Sequence, residues 1–166
     1  MIQSLREDLC RHGLCQGLAT FGMWPVRTND KGDYFPVWGT CLGHQELTYL
    51  TSGKNLLVKP KTENISLPLN FTTAAKDSRM FQNFPDDLLQ KLATEPLTAH
   101  FHKWSVSIKN FRKNEKVTNF CKVLTTNTDG KIEFASTMEG VLSLWVLRSW
   151  STQGKKSLEE PAPFSQ

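Results

Sequence analysis

A cysteine between two glycines is the feature of this sequence that points most directly to chemistry. Residues 39–43, Gly-Thr-Cys-Leu-Gly, match the Gly-x-nucleophile-x-Gly pattern of a sharp turn that presents a nucleophile between a strand and a helix. In such a turn the nucleophile has a strained backbone, and side chains two residues before and after it would clash. We therefore expect Gly39 and Gly43 to relieve both clashes, and the thiol of Cys41 to attack an electrophilic carbon.

The same turn would place the thiol at the N-terminus of a helix, where the helix dipole favours a thiolate. The backbone N–H of Leu42 would then point to the position of a tetrahedral oxyanion. The competing interpretation of Cys41 is an inert buried cysteine, since free cysteine is among the most buried residue types. Cys10, Cys15 and Cys121 lack the strand–turn–helix context, and we interpret them as structural.

A cysteine nucleophile needs a base, which is normally a histidine oriented by a third group. The chain contains four histidines, His12, His44, His100 and His102. We expect His44, three residues after the cysteine, to project away from the thiol or to lie along the helix surface. His100 and His102 share one face if their segment is extended, so either is a candidate for a substrate pocket. The competing interpretation is that each is a polar residue whose hydrogen bonds are satisfied within the fold and that has no catalytic role.

Metal binding is not predicted. Cys10 and Cys15 flank His12, but their spacing matches no common zinc knuckle, and no second pair of ligands follows. We therefore expect no metal.

The helices and strands that must position the cysteine are predicted from the hydrophobic pattern and from residues that begin or end helices and turns. Helices are predicted where Gly53 supplies a stop, where Pro85 is followed by two acids, and where Asn114 supplies a cap. Strands are predicted in apolar or β-branched runs, and a hairpin around Asp129-Gly130. The predicted order is strand Tyr34–Trp38, helix Leu42–Thr51, strand Asn55–Val58, helix Pro85–Ala93, strand Leu97–Phe101, helix Asn114–Cys121, and hairpin strands Val123–Thr126 and Ile132–Ser136. This alternation predicts an α/β domain with a mainly parallel sheet.

Composition excludes several classes of protein. The 166 residues, 39% hydrophobic and 22% charged, suit one globular domain and exclude a disordered polyelectrolyte or a fibre. Neither a membrane-spanning run of 18 apolar residues nor the apolar core of a signal peptide is present. After an apolar stretch over 141–150, the polar residues 151–166 with two prolines predict a disordered tail.

The net charge of +4 is concentrated in one region. Residues 101–131 carry seven basic and two acidic side chains. A solvated helix face is one interpretation, and attraction for an anionic partner is the other. The interleaved aromatic residues recur at helical spacing, and we expect them in the core: Phe101, Trp104, Phe111 and Phe120. No nucleic-acid-binding motif is present, so we expect no nucleic-acid partner.

Longer motifs identify a family. Residues 32–140 closely resemble γ-glutamyl hydrolases, the folate polyglutamate hydrolases of the class I glutamine-amidotransferase-like superfamily. The matching stretches are GDYFPVWGTCLG (32–43), PLNFT (68–72), SRMFQNFP (78–85), FHKWS (101–105), LTTNTDGKIEF (124–134) and STMEG (136–140). The resemblance implies a three-layer, flavodoxin-like parallel sheet, here incomplete.

The resemblance also implies an activity, the cysteine-dependent cleavage of γ-linked glutamates from folylpoly-γ-glutamates. Cys41 falls on the family nucleophile, Leu42 would supply one oxyanion-hole amide, and His102 falls on a histidine beside the substrate. No metal or organic cofactor is implied, and a homo-oligomer is compatible with the resemblance. A polyanionic substrate of this kind is a candidate partner for the excess of basic residues in 101–131.

The sequence departs from the family pattern at both ends. Family members continue past STMEG to a strand ending in Trp-His-Pro-Glu, whose histidine is the base, yet no histidine follows His102 here. Residues 1–30 contain no Pro-Gly-Gly loop. We therefore expect impaired hydrolysis, with unmatched segments 1–31 and 141–166 around the family-like domain 32–140. The alternatives are a non-catalytic binding or interaction fragment, and a glutaminase subunit, which shares the turn but not FHKW or STMEG.

Family members enter the secretory route, so the resemblance implies a lysosomal or secreted protein. The sequence as written has no signal peptide, which would leave it cytoplasmic and its sequons at Asn64 and Asn70 unmodified. No membrane partner is expected.

Overall fold

The computed structural model describes residues 37–141, 145–149 and 151–152. These residues form strands and α-helices in mixed order, which confirms the α/β class. In chain order they are β1 (Val37–Thr40), α1 (Leu42–Ser52), β2 (Leu57–Val58), β3 (Ile65–Leu67), β4 (Asn70–Phe71), a 3₁₀ turn (Thr73–Ala75), α2 (Asp86–Thr94), β5 (Thr98–His100), β6 (Ser105–Ser107), α3 (Ile108–Arg112), α4 (Glu115–Phe120), β7 (Cys121–Thr128), β8 (Glu133–Gly140), β9 (Trp145–Arg148) and β10 (Ser151–Thr152).

Local signals place the ends of the helices as the sequence predicts. Gly53 ends α1 in the left-handed conformation, with φ 65°, and its N–H donates to the carbonyl of Tyr49. Pro85 precedes α2, and two aspartates occupy the first turn of that helix. Asn114 caps α4, because its side-chain oxygen accepts a hydrogen bond of 3.1 Å from the N–H of Val117.

Strand β8 organises the larger of two sheets. One side of β8 pairs with β7 along nearly its whole length, and the other side is shared by β6 and β9. Beyond these strands lie β2 next to β6, β4 next to β7, and β1 next to β9. A smaller sheet has the order β10-β5-β3. Among the described strands, β1 pairs with β9 alone.

The prediction of a mainly parallel sheet needs correction. Of the pairings in the described part of the chain, that between β1 and β9 is parallel and the others are antiparallel. The cause lies in the connections. A parallel neighbour needs a crossover of a dozen or more residues, whereas β7, β8 and β9 follow one another through links of only four residues, 129–132 and 141–144.

The segment after residue 140, which the sequence leaves unmatched to the family, contains two strands, and the second occupies the first two residues of the predicted tail 151–166. β9 and β10 both lie in that segment, and β9 is inserted between β1 and β8. The apolar stretch over 141–150 supplies residue types that suit a strand with a neighbour on each side. Residues 153–166, the rest of the predicted tail, lie outside the described residues, as do residues 1–31 and the first part of the predicted strand Tyr34–Trp38.

The main core lies between the larger sheet and helices α1, α3 and α4. It is built from buried apolar side chains of these helices and of β6 and β8, among them Leu47, Val106, Phe111, Val117 and Met138. Phe120 packs against this cluster as predicted, but Phe101 is 61% exposed, which corrects its assignment to the core. Phe101 lies after β5 in a loop rather than on a helix, so helical spacing does not apply to it.

Candidate functional site

The turn at Cys41 has the strained geometry that the glycine pattern predicts. Cys41 stands between β1 and α1 with φ 54° and ψ −105°, and Asn64 is the one other described non-glycine residue with positive φ. Its N–H donates to the carbonyl of Arg148 on β9 at 2.8 Å, and its carbonyl accepts from the N–H of Gln45 at 3.3 Å. A sheet bond before the turn and a helix bond after it hold a conformation that costs about 1–3 kcal/mol.

The residues that carry the thiol and the neighbouring amide are both partly exposed. Cys41 is half-buried, and Leu42 is 43% exposed. Because Leu42 is the first residue of α1, its N–H has no acceptor within the helix. A donor of this kind beside a nucleophile is what an oxyanion requires. The roles of nucleophile and oxyanion donor remain predictions from the sequence.

Gly43 lies in the first turn of α1, and a methyl group added there would meet nothing within 4 Å outside its own helix and its chain neighbours. The clash expected from the glycine pattern lies within the turn itself, between residues close in the chain. Gly39 is buried within β1. The steric roles of Gly39 and Gly43 remain predictions.

The histidines form a buried cluster, which we call the histidine cluster: His44, His100 and His102. Nδ1 of His100 lies 3.2 Å from Nε2 of His102, and Nδ1 of His102 lies 3.2 Å from the hydroxyl of Ser105. Both ring nitrogens of His102 therefore have polar partners, and neither partner is the thiol of Cys41. His100 and His102 share one side of their segment, as an extended backbone predicts.

Of the two positions predicted for His44, the helix surface is wrong. His44 is 1% exposed, and neither ring nitrogen has a hydrogen-bond partner among the described atoms. Leu47 and Thr48, three and four residues further along α1, are buried on the same side of the helix. The core-facing stripe of α1 therefore includes the histidine.

Burial lowers the pKa of all three members of the histidine cluster. Desolvation, and then the repulsion that a protonated His102 would exert, lower the pKa of His44 to about 3. The same two causes lower the pKa of His100 to about 4. Burial also lowers the pKa of His102, against a backbone hydrogen bond at Trp104 that raises it. The structural interpretation of Cys121 agrees with its burial, which raises the pKa of that thiol to about 12.

Helix α1 is tied directly to the loop that carries His102. The side-chain amide of Gln45 donates to the carbonyl of Trp104 at 2.9 Å. This bond joins residues 59 positions apart, so the turn and the loop 101–104 are held together. Sequence reasoning missed this contact, because nothing in a lone glutamine marks a long-range partner.

A cationic side chain lies beside the turn on the neighbouring strand. The guanidinium of Arg148 is 5.4 Å from the centroid of the Trp38 ring, and its Nε lies 3.4 Å from the hydroxyl of Thr40. The indole N–H of Trp38 donates to the same hydroxyl at 2.9 Å. Sequence reasoning missed this group, because Arg148 belongs to the segment that was predicted to be unmatched to the family.

Two motifs singled out by the resemblance, SRMFQNFP and STMEG, meet in space. The carboxylate of Glu139 accepts from Nε of Arg79 at 2.8 Å and from the N–H of Met80 at 3.0 Å. Arg79 also donates to the carbonyl of Gly140. The contact fixes the segment 78–80 to the end of β8.

A cavity of about 550 Å³ lies next to β4, at the opposite edge of the larger sheet from β1 and the turn. It is lined by Phe71, Phe81, Phe84 and their neighbours, and β7, β8 and β9 separate its strand β4 from β1. No predicted site residue lines it.

In the described ranges, no group of three or more His, Cys, Asp or Glu side chains is placed to hold a metal ion. Cys10, His12 and Cys15 lie outside those ranges.

Both predicted glycosylation asparagines, Asn64 and Asn70, are exposed. The hydroxyl of Thr72 in the second sequon donates to the carbonyls of Val123 and Leu124.

Among the described helices, none is long and apolar enough to cross a membrane.

Curated proteins similar to this chain share one description. A γ-glutamyl hydrolase of Bos taurus and one of Homo sapiens are each 58% identical to it over 133 residues, 80% of this chain and 42% of the relative. γ-Glutamyl hydrolase B of Dictyostelium discoideum is 39% identical over 113 residues, 67% of this chain and 33% of the relative. The chain thus spans about two fifths of the mammalian relatives, and the match is longer than the stretch 32–140. No protein-family model matches it.

Proposed function

Over its matched residues this chain belongs to the γ-glutamyl hydrolase family, and from that premise we propose that it hydrolyses γ-glutamyl bonds of folylpoly-γ-glutamates through a thiolate at Cys41. The observation that carries the proposal is the backbone of Cys41, strained at φ 54° between a strand and a helix. A strained turn of this kind costs about 1–3 kcal/mol of stability and is typical of a nucleophile.

The chemistry follows from the groups at the turn. The sulfur attacks the γ-carbonyl carbon, and the N–H of Leu42 stabilises the oxyanion that forms. The C–N bond then breaks, the nitrogen takes up a proton as the glutamate leaves, and a thioester remains on Cys41. Water attacks the thioester, which releases the shortened folyl-γ-glutamate with a new γ-carboxylate and restores the thiol.

We propose that this hydrolysis is slow. His102 is committed to His100 and Ser105, and the described residues place no other histidine nitrogen against the thiol. Positioned acid–base catalysis contributes roughly 10²–10⁴-fold in rate, and the chain would lack that factor. A polyanionic substrate is supported by four exposed basic residues on and between α3 and α4: Lys109, Arg112, Lys113 and Lys116.

The test is hydrolysis of pteroyl-tri-γ-glutamate by the purified chain and by Cys41→Ala. We expect slow release of glutamate from the unmodified chain and none from the variant. Iodoacetamide should label Cys41 and spare Cys121, which is 2% exposed, so Cys121→Ala is the matched control and should keep both turnover and labelling. Turnover that survives Cys41→Ala would disprove the nucleophile.

A non-catalytic binding protein is the second candidate, and the commitment of both His102 nitrogens favours it. In that case the chain binds pteroyl-tri-γ-glutamate in a calorimeter but releases no glutamate over days. Release of glutamate that depends on Cys41 would exclude this candidate.

For its location we propose the lysosomal or secreted route. Exposure of Asn64 and Asn70 supports this, since both sequons are accessible to a glycosyltransferase. A loss of mass on glycosidase treatment of the chain from its native source would check it, and an unmodified mass would count against it.

A further inference from the structure

The cavity beside β4 has an aromatic wall that the proposed hydrolysis at Cys41 does not use. The ring of Phe81 packs edge-to-face against Phe71 at a centroid distance of 5.2 Å and against Phe84 at 5.3 Å. Phe81 is 3% exposed, whereas Phe71 and Phe84 are half-buried, and all three line the cavity. The packing holds the rings in place and leaves part of the outer two uncovered, which suits a flat aromatic ligand.

Two side chains of opposite charge line the same cavity. Asp86 is the first residue of α2, and Lys76 follows the 3₁₀ turn; both are exposed. Neither takes part in an ion pair within the described part of the chain. The volume of about 550 Å³ lies within the range of roughly 300–1,000 Å³ that is usual for ligand pockets. An aromatic wall with a few polar groups is the lining that such pockets share.

The cavity is separate from the turn that carries the thiol. The registers of the strands from β1 through β9, β8 and β7 to β4 place five residues in one row: Thr40, Arg148, Thr137, Thr125 and Phe71. Adjacent strands lie about 4.8 Å apart, so Phe71 is roughly 19 Å from Thr40. Thr125 and Thr137 are fully buried and hydrogen-bonded to each other at 2.8 Å. The row between the cavity and the turn is therefore covered.

We propose that this cavity binds the 2-amino-4-oxopteridine ring of a folyl compound, at a site distinct from Cys41. The choice of this ring rests on the proposed function, because the folyl group of that substrate carries it. One edge of the ring presents a carbonyl, a ring N–H and an amino group side by side. The two donors pair with the carboxylate of Asp86 through parallel hydrogen bonds, and the carbonyl accepts from Lys76. The ring itself packs on the aromatic wall.

The experiment measures binding of the ring alone, by calorimetry with 6-methylpterin and the full chain. Asp86→Asn replaces the carboxylate by an amide, and the loss of a charge-assisted pair predicts about 10- to 100-fold weaker binding. Asp87→Asn is the matched control, because Asp87 is also exposed in the first turn of α2 but does not line the cavity. It should bind as the unmodified chain does. Thr73→Trp, at an exposed position of the lining, should fill the cavity and abolish binding.

A second ligand tests the polar edge of the ring. 6-Methyllumazine has a carbonyl in place of the 2-amino group, so it presents an acceptor where Asp86 needs a donor. It should bind the unmodified chain at least about 10-fold more weakly than 6-methylpterin, and Asp86→Asn should bring the two affinities together. Equal affinities of the unmodified chain for the two ligands would overturn the inference. So would equal effects of Asp86→Asn and Asp87→Asn, or binding of 6-methylpterin that survives Thr73→Trp.

Competition tests whether the ring belongs to a folyl compound. Pteroyl-tri-γ-glutamate should displace 6-methylpterin from the full-length Cys41→Ala chain, and failure to displace it would overturn the assignment to folyl compounds. Neither titration needs hydrolysis. A chain that binds 6-methylpterin through Asp86 but releases no glutamate would therefore overturn the proposed function alone. Hydrolysis that depends on Cys41, in a chain that does not bind 6-methylpterin, would overturn the present inference alone.

Discussion

His44, whose buried ring nitrogens have no hydrogen-bond partner in the described part of the chain, makes stability depend on pH. The pKa of His44 falls from 6.5 to about 3 on folding, and that of His100 to about 4. Below pH 6.5 the unfolded chain binds protons that the folded chain does not, so the free energy of unfolding falls as the pH falls. This stability is fully present above pH 6.5 and is lost as the pH drops towards about 4 for His100 and about 3 for His44.

We predict that His44→Leu reduces this acid sensitivity. Each such histidine contributes a slope of at most about 1.4 kcal/mol per pH unit between the two pKa values. Leucine has no proton to gain and no unpaired nitrogen to bury, so the variant should also gain about 1 kcal/mol at pH 7. Urea unfolding from pH 7.5 to 4.5 measures both effects. Identical slopes for the two chains would contradict the prediction.

Within the elements, the contact between SRMFQNFP and STMEG depends on one carboxylate. Glu139 is 8% exposed and accepts from the side chain of Arg79 and from the N–H of Met80. Removing its charge leaves these donors with a weaker acceptor at the end of β8.

We therefore expect Glu139→Gln to lower the free energy of unfolding by about 1–3 kcal/mol, the range for a lost hydrogen bond to a charged group. Glu133→Gln, on the same strand but exposed, is the control and should change it by less than about 0.5 kcal/mol. Urea unfolding at pH 7 checks both, and equal losses would show that the contact contributes no specific stability.

The elements that the sequence predicts well are those with local causes. Gly53, Asn114 and the hairpin turn at Asp129-Gly130 act within a few residues, so α1, α4 and the hairpin are foreseeable. The inward orientation of His44 depends instead on how α1 packs on the sheet. Gln45 and Trp104, or Arg79 and Glu139, are about 60 residues apart, and pattern alone does not pair them.

For the whole molecule, β9 is the strand that joins the turn to the rest of the sheet. It pairs with β1 on one side and with β8 on the other. Without it, β1 and β8 would each expose unpaired backbone groups to water, and Cys41 would lose the acceptor of its N–H.

We predict that a chain ending at Gly140 loses cooperative unfolding, whereas a chain ending at Thr152 keeps it. The shorter chain lacks β9 and β10, and the longer chain retains both strands. Thermal melts followed by circular dichroism compare the two with the full chain. A cooperative melt of the shorter chain at the temperature of the full chain would contradict the role of β9.

The hydrogen bond from the N–H of Cys41 to the carbonyl of Arg148 allows amide hydrogen exchange to report on this site. A hydrogen-bonded amide exchanges with solvent deuterium only when the bond opens, so exchange at Cys41 reports the docking of β9. The amide of Leu42, at the open start of α1, should exchange quickly in the free chain. The ratio of these two neighbouring rates gives the population of docked strand, and slowing at Leu42 alone would mark the arrival of an oxyanion-like ligand.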